Sequence, residues 1–294
     1  ILTSREHSGS IPKFSLNYTE DIVDFIPLQD FLAHDSVWQK NRYQQLVEWS
    51  MIQSGGLFKP KECGSFCESR SVILVPYRNR TDNLIPFLSY IHPFLQRQGI
   101  EYQIVFISQS MTTSVDFNRG ALINIGFLYA MNRSSIHQPW NCIIIHDVDH
   151  LPESEDNIYT CSDVPIHMNS NDNGLGLPYQ TYFGGVGSIK PGQFKAVNGL
   201  PNRYFGWGGE DDDFQERLNR LGLKWRHINQ TIGRQDTYVT LGHEKARPNS
   251  ERFRMLERAK KLMFKDGLNS TKFQLMSVLE EKLYVNITVD FNKS

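Results

Sequence analysis

Asn141-Cys-Ile-Ile-Ile-His-Asp-Val-Asp149 is a short apolar run that stops at two carboxylates. β-Branched residues on consecutive positions suit a strand buried on both faces, as in a parallel sheet. The same pattern recurs upstream. Ser71-Val-Ile-Leu-Val-Pro76 is apolar and gives way to the polar loop Tyr77-Arg-Asn-Arg-Thr-Asp-Asn83. Tyr102-Gln-Ile-Val-Phe-Ile-Ser108 reads as another buried strand. Between these strands, 84–98 and 119–132 carry helical spacing, with Leu122, Ile125, Phe127 and Leu128 as apolar points of the second. Strand, helix, strand, helix, strand predicts an α/β fold with a parallel sheet. In such sheets ligands bind beyond the carboxyl ends of the strands. Arg78, Arg80, Asp147 and Asp149 all fall there.

Farther along stands Phe205-Gly-Trp-Gly-Gly-Glu-Asp-Asp-Asp213. Four consecutive acids suit the first turn of a helix, where the macrodipole favours them, and Phe214-Gln-Glu-Arg-Leu-Asn-Arg-Leu221 does read as a helix. That explains the acids but not Trp207 or the glycines. Tryptophan offers a flat face for a sugar ring, and a neighbouring carboxylate can take a proton from a hydroxyl. Asp147-x-Asp149 after a buried strand is able to hold a divalent cation that neutralises a diphosphate; a solvated turn is the plain alternative. Arg78 and Arg80 suit phosphate by bidentate geometry, or are surface arginines. Together these loops point to a sugar-nucleotide site. Neither a Walker-type loop nor GxGxxG is present, which argues against an ATP enzyme and a dinucleotide oxidoreductase.

The chain has 294 residues and a net charge of −1, so no basic field gathers nucleic acid or anionic membrane. It lacks a run of about 18 apolar residues that would span a bilayer, and it starts Ile-Leu-Thr-Ser, as a trimmed or partial protein would. Residues 1–68 read as a stem and packing arm, with 31–52 as one amphipathic helix (Leu32, Trp38, Tyr43, Leu46 and Trp49 apolar) broken by Gly55-Gly56. Sequons at Asn17, Asn132, Asn229, Asn269, Asn286 and Asn292, with a further match at Asn79, fit a secretory route. The four cysteines (Cys63, Cys67, Cys142, Cys161) then read as disulfide formers in an oxidising compartment rather than zinc ligands.

From about Gly55 to Asp290 the chain resembles the β-1,4-galactosyltransferase family of GT-A glycosyltransferases. The resemblance rests on Pro76-Tyr-Arg-Asn-Arg80, Phe117-Asn-Arg119, Asp147-Val-Asp149, Tyr179-Gln-Thr-Tyr-Phe-Gly-Gly185 and Gly206-Trp-Gly-Gly-Glu-Asp-Asp-Asp213. It continues in Asp266-Gly-Leu-Asn-Ser270 and Ile287-Thr-Val-Asp290. It implies a Rossmann-like GT-A domain over 69–294, a twisted, mostly parallel sheet flanked by helices. It also implies Mn²⁺-dependent, inverting transfer of galactose from UDP-galactose to the 4-hydroxyl of a terminal N-acetylglucosamine. The setting would be the Golgi lumen, with membrane attachment only through a segment not present here. Alternatives are N-acetylgalactosamine transfer, galactose transfer to the xylose of a glycosaminoglycan linker, and an inactive sugar-binding protein.

Carried over by motif, Pro76, Arg78, Arg80, Phe117, Asn118, Arg119, Asp147, Val148 and Gly185 would line the nucleotide. Trp207 would lie over the sugars on a closing loop. Asp211 would be the general base, with Glu210 and Asp212 holding donor and acceptor hydroxyls. Tyr179, Tyr182, Gly208, Gly209, Arg252 and Phe253 would line the acceptor side. In the family a bulky residue at Tyr182 goes with galactose and a smaller aliphatic one with N-acetylgalactosamine. Gly209 resembles the N-acetylglucosamine-acceptor members, whereas His146 resembles the xylose branch. Cys142 and Cys161 match a family disulfide. Asp149 and His243 match metal ligands, but the family's Met-x-x-His pair has Thr240 in place of methionine. Water or Asp236 would then fill that position. A basic residue usual before the Leu-Pro-Tyr segment is replaced by Asp172 or Asn173.

Overall fold

The computed structural model describes residues 26–49, 51–61, 68–112, 115–133, 139–170, 176–228, 238–242 and 246–291. In chain order the elements are α1 (Leu28–Ala33), α2 (Ser36–Trp49), β1 (Leu57–Phe58), β2 (Arg70–Tyr77), α3 (Thr81–Arg97), β3 (Glu101–Gln109) and α4 (Arg119–Arg133). Next come β4 (Cys142–His146), β5 (His150–Pro152), β6 (Ile166–His167), β7 (Val186–Ile189), α5 (Pro191–Ala196), α6 (Glu210–Arg220), β8 (Arg226–His227) and β9 (Tyr238–Thr240). The chain closes with α7 (Arg252–Glu257), α8 (Ala259–Leu262), β10 (Gln274–Glu280) and β11 (Val285–Asp290).

One mixed sheet runs β10-β11-β3-β2-β4-β7-β6-β8, with β1 added along β3. Its centre, β11-β3-β2-β4, is parallel. Neighbours on both sides pair antiparallel, β10 on β11 and β7 on β4. The chain leaves β2 for β3 on one side and returns to β4 on the other, so the crevice at the switch point opens between β2 and β4. Both loops singled out in the sequence flank it.

The apolar runs are continuous because both faces are covered. Ile73, Val75, Tyr102, Ile104 and Phe106 pack into the core beneath α3. Val72, Leu74, Val105 and Ile107 alternate with them and pack beneath α4. Gly126 lets α4 sit close to the sheet, since a Cβ there would lie 2.6 Å from Ile107 Cδ1. Leu28, Phe31, Leu46 and Ile52 of the arm join the α3-side core.

The single helix expected over 31–52 is two helices. His34 is extended, and Asp35 Oδ1 accepts the Trp38 N–H at 2.8 Å. A carboxylate capping its own downstream amides starts a new helix at that point. The second stops at Trp49, and the apolar point Leu32 is exposed. The helix expected to begin at Leu84 begins at Thr81 and accommodates Pro86 and Pro93.

Cys142 and Cys161 are bonded, with Cα atoms 5.2 Å apart, and close a loop of sequence separation 19 beside the strand end. Loop-closure entropy for that length is about 3 kcal/mol. A Cys142→Ala/Cys161→Ala variant is expected to melt about 6–12 °C lower. An unchanged melting temperature would mean that the loop is already ordered by its other contacts.

Candidate active site

Each motif is placed by the end of a different element. Arg78 follows β2, and its Nη1 donates to the Val115 carbonyl at 2.8 Å, tying this loop to the one that leads into α4. Phe117 O accepts the Gly206 N–H at 2.9 Å, which brings the glycine loop alongside. Asn118 is fully buried. Its Oδ1 caps α4 through the Ala121 N–H at 2.9 Å, and its amide donates to Asn202 O at 2.6 Å. This side chain is spent on positioning Arg119, the first residue of α4.

Arg119 joins the two acidic groups of the sequence. Its Nε donates to Asp147 Oδ1 at 2.7 Å, its Nη2 donates to Gly185 O at 3.2 Å, and its Nη1 lies 3.9 Å from Glu210 Oε1. Burial disfavours its charge, but Asp147, Glu210 and Asp211 outweigh that and hold the guanidinium firmly protonated. Asp149 is nearly buried, and its Oδ1 lies 2.8 Å from His150 Nδ1. Ligand atoms of Asp147, Asp149 and His150 all fall within 4.8 Å of one another. Carboxylate and imidazole donors at that spacing fit a borderline divalent cation such as Mn²⁺. Behind the pair, Leu241 N–H donates to Asp149 O at 2.6 Å, and β9 runs antiparallel to β5. His243, the other expected ligand, lies outside the described residues, as do Cys63, Cys67, Asp172, Asn173 and Asp236.

The acid run is the N-terminus of α6, and its four carboxylates part company. Gly206, Gly208 and Gly209 all take positive φ, 85°, 99° and 98°. At Gly209 a Cβ would also lie 2.8 Å from Tyr204 Cε1. Glycine is needed there twice over, for conformation and for space. The Trp207 backbone is anchored, its N–H on Arg247 O at 3.0 Å and its carbonyl accepting Asn249 N–H at 3.0 Å. The ring is 60 % exposed, free to cover a ligand, with Arg252 5.7 Å from its centroid and 4.5 Å from that of exposed Phe253. Asp212 accepts the Tyr179 hydroxyl at 2.5 Å, and Tyr179 meets Tyr182 edge-on at 5.5 Å.

Glu210 and Asp211 face inward. Burial raises both; Asp211 adds to the rise at Glu210, Asp212 adds to that at Asp211, and Arg119 opposes each. Glu210 is pushed up to about 8 and Asp211 to about 6. The two carboxyls titrate as a coupled pair, both raised by burial and each opposed by Arg119. Glu210 Oε2 is buried with no hydrogen-bond partner among the described residues, a group waiting for a ligand hydroxyl. Asp211 Oδ2 and the Tyr182 phenol crowd the same point above Gly184, where a Cβ would lie 2.6 Å from that carboxylate oxygen. Beyond Asp212 a cleft of about 350 Å³ runs past Thr181, Gln215, Glu216, Glu257 and Lys260, polar enough for hydroxyl-rich ligands.

Three residues that the motif reading passed over matter here. His150 follows the carboxylate pair directly, and a histidine beside two acids at a strand end was its available signal. Arg203 and Arg217 bind Asp213 beneath the site; an i,i+4 acid–arginine spacing was visible for Arg217 alone. His146 is buried in the α3-side layer. Its Nε2 is 2.7 Å from Tyr159 Oη, and burial drives it down to about 3, so it is a neutral core residue.

Comparison with known proteins agrees with this geometry. Residues 31–162 match the family model for the N-terminal region of glycosyl transferase group 7, and 164–244 match that for the N-terminal domain of galactosyltransferase. The chain is 41% identical over 243 residues to beta-1,4-galactosyltransferase 4 of Cricetulus griseus, covering 81% of this chain and 67% of that protein. It is 40% identical over 241 residues to beta-1,4-galactosyltransferase 1 of Mus musculus, covering 81% and 58%. Among solved structures it is similar to the catalytic domain of Drosophila beta1,4galactosyltransferase 7 complexed with xylobiose. That match has a TM-score of 0.66 and 27% identity, covering 77% of this chain and 95% of that one. A mutant of the same Drosophila protein, in complex with manganese, UDP-Gal and xylobiose, matches with the same TM-score at 26% identity. With its switch-point carboxylates, its acidic α6 terminus and these matches, the chain belongs to the β-1,4-galactosyltransferase family of glycosyl transferase group 7.

Proposed function

We propose that this protein transfers galactose from UDP-galactose to the 4-hydroxyl of a terminal N-acetylglucosamine, with inversion, in the Golgi lumen. The observation that carries the reading is Arg119: one guanidinium bonds the Asp147 carboxylate and faces Glu210, so the strand-end acids and the α6 acids form a single site. Asp211 takes the proton from the attacking hydroxyl. Glu210 steadies a sugar hydroxyl with its unpartnered oxygen. Trp207 closes over the sugars and excludes water that would otherwise hydrolyse the donor. Asp149, with Asp147 beside it, would hold a divalent cation, which when bound would supply Lewis acidity toward a diphosphate. No covalent nucleophile is needed. Among the described residues no helix is long and apolar enough to cross a membrane.

N-acetylglucosamine is proposed over xylose as acceptor because the glycine before Glu210, Gly209, resembles the N-acetylglucosamine-acceptor members. The test is UDP release from UDP-galactose with Mn²⁺ and a panel of acceptors. N-acetylglucosamine-dependent turnover is expected; turnover with xylosides alone would replace this reading with the linker enzyme. Absence of turnover despite UDP binding would favour a sugar-binding protein.

Donor choice gives a second check at the same site. The half-buried Tyr182 phenol stands over Gly184 next to Asp211, and in the proposed reading it takes the volume that an N-acetyl group would need. Tyr182→Leu is expected to move the ratio of UDP-N-acetylgalactosamine to UDP-galactose turnover up by about 10–200-fold, the range a pocket of this kind discriminates. An unchanged ratio would make Tyr182 a packing residue.

A further inference from the structure

We propose that His150 is itself a ligand of the divalent cation, sharing the metal with Asp149 through Nδ1. The inference rests on the reading that a cation works at this site, and adds a ligand from this chain's own sequence. His150 Nδ1 lies 2.8 Å from Asp149 Oδ1. Neighbouring ligands of an octahedral ion with bonds of about 2.1 Å sit about 3 Å apart, so the two atoms are spaced as cis ligands before any ion arrives. The Asp147 carboxylate is within the same 4.8 Å group. His150 is 9% exposed and lies on β5, a strand pinned by β9, so the imidazole is presented by rigid backbone rather than a loop tip.

The far side of the ring points the same way. His150 Nε2 is turned to Gly185, 3.2 Å from where a Cβ would stand, and Asn169 Nδ2 is 2.7 Å from that same point. Asn169 is 3% exposed, and its Oδ1 is a buried acceptor with no hydrogen-bond partner among the described residues. The side-chain O and N of Asn169 are exchangeable by an amide flip, so this side chain is a candidate outer-shell acceptor on the Nε2 side of the ring. Metal-bound histidines donate their second N–H to such an oxygen. Across the strand pair, Thr240 stands in register with His150. A neutral hydroxyl binds a borderline cation less well than imidazole does, so on this strand pair His150 carries the stronger donor.

The experiment measures the metal directly. Mn²⁺ affinity is read from the electron paramagnetic resonance signal of free Mn²⁺, titrated into the wild-type protein, His150→Leu and His150→Asp with UDP present. Co²⁺ affinity is read from visible absorption in parallel. His150→Leu is expected to weaken both metals by more than the about 10–100-fold that loss of a mere outer-shell partner costs. His150→Asp, which restores an oxygen donor, is expected to recover Mn²⁺ but not Co²⁺. Unchanged affinities in His150→Leu, with an unchanged Co²⁺ spectrum, overturn the assignment and make the 2.8 Å contact a simple hydrogen bond. If His150→Leu fails to fold, His150→Asp decides alone: a wild-type ratio of Co²⁺ to Mn²⁺ affinity overturns the proposal. Galactose transfer by wild type with no metal dependence would remove the cation from the reaction, an outcome separable from the affinities.

Discussion

Asp211→Asn loses about 10²–10⁴ in kcat, the share that a positioned general base contributes, while UDP and Mn²⁺ binding stay near wild type. The asparagine keeps the shape and the hydrogen bond to the Asp212 N–H, 3.0 Å in the parent, but cannot accept a proton. The pH profile separates this from a packing defect. Burial, with Asp212 next, raises Asp211 to about 6, so the base protonates and the rate falls as pH drops through that value. Glu210, raised to about 8, ionises at the other end and repels the charge on its neighbour. Wild type is therefore expected to show a bell between these limits, belonging to the pair rather than to either residue. In Asp211→Asn the acid limb disappears from what rate remains. A variant with wild-type kcat, or with the acid limb intact, would assign the base elsewhere.

Asp213→Asn is expected to cost about 3–5 kcal/mol of stability, the effect of breaking a buried ion pair from one side. Asp213 is fully buried. Arg217 Nε donates to its Oδ1 at 2.7 Å, the Tyr204 hydroxyl to Oδ2 at 3.1 Å, and Arg203 also bonds Oδ2. Arg203 continues to Asp266 Oδ2 at 2.5 Å, and Arg217 Nη2 donates to the Asp266 carbonyl at 2.8 Å. Losing the central carboxylate leaves the buried Arg217 guanidinium on backbone carbonyls, with the Arg203 guanidinium nearby and no charge between the two arginines. Urea unfolding measures the loss, and melting should fall by about 6–20 °C. Because the network sits under the first turn of α6, kcat is expected to drop as well, through displacement of Asp211. A loss below about 1 kcal/mol would show that the network behaves like a surface pair and that solvent reaches it.

The central sheet was legible because β2, β3 and β4 are apolar on consecutive positions, a pattern that only burial on both faces rewards. The arm was less so. Its apolar points suit one long helix, and the break depends on Asp35 capping Trp38 rather than on glycine or proline. The order β3-β2-β4 was not readable from the strands themselves. Short strands such as β6 and β8, two residues each, carry too little pattern to be found.

The sequence by itself determined which chemistry this protein has. Carboxylates, arginines, Trp207 and positive-φ glycines stand at element ends, and elements of that period can only expose their ends at the rim of a sheet. The tertiary structure decided how the acids are shared out. Glu210, Asp211, Asp212 and Asp213 are indistinguishable as a run of charges. A helix turns about 100° per residue, so the four divide among three environments: Glu210 and Asp211 toward buried Arg119, Asp212 toward Tyr179, Asp213 toward the Arg203–Arg217 pair. Burial depth and the nearest guanidinium then set which carboxyls titrate together as a raised pair and which holds the helix in place.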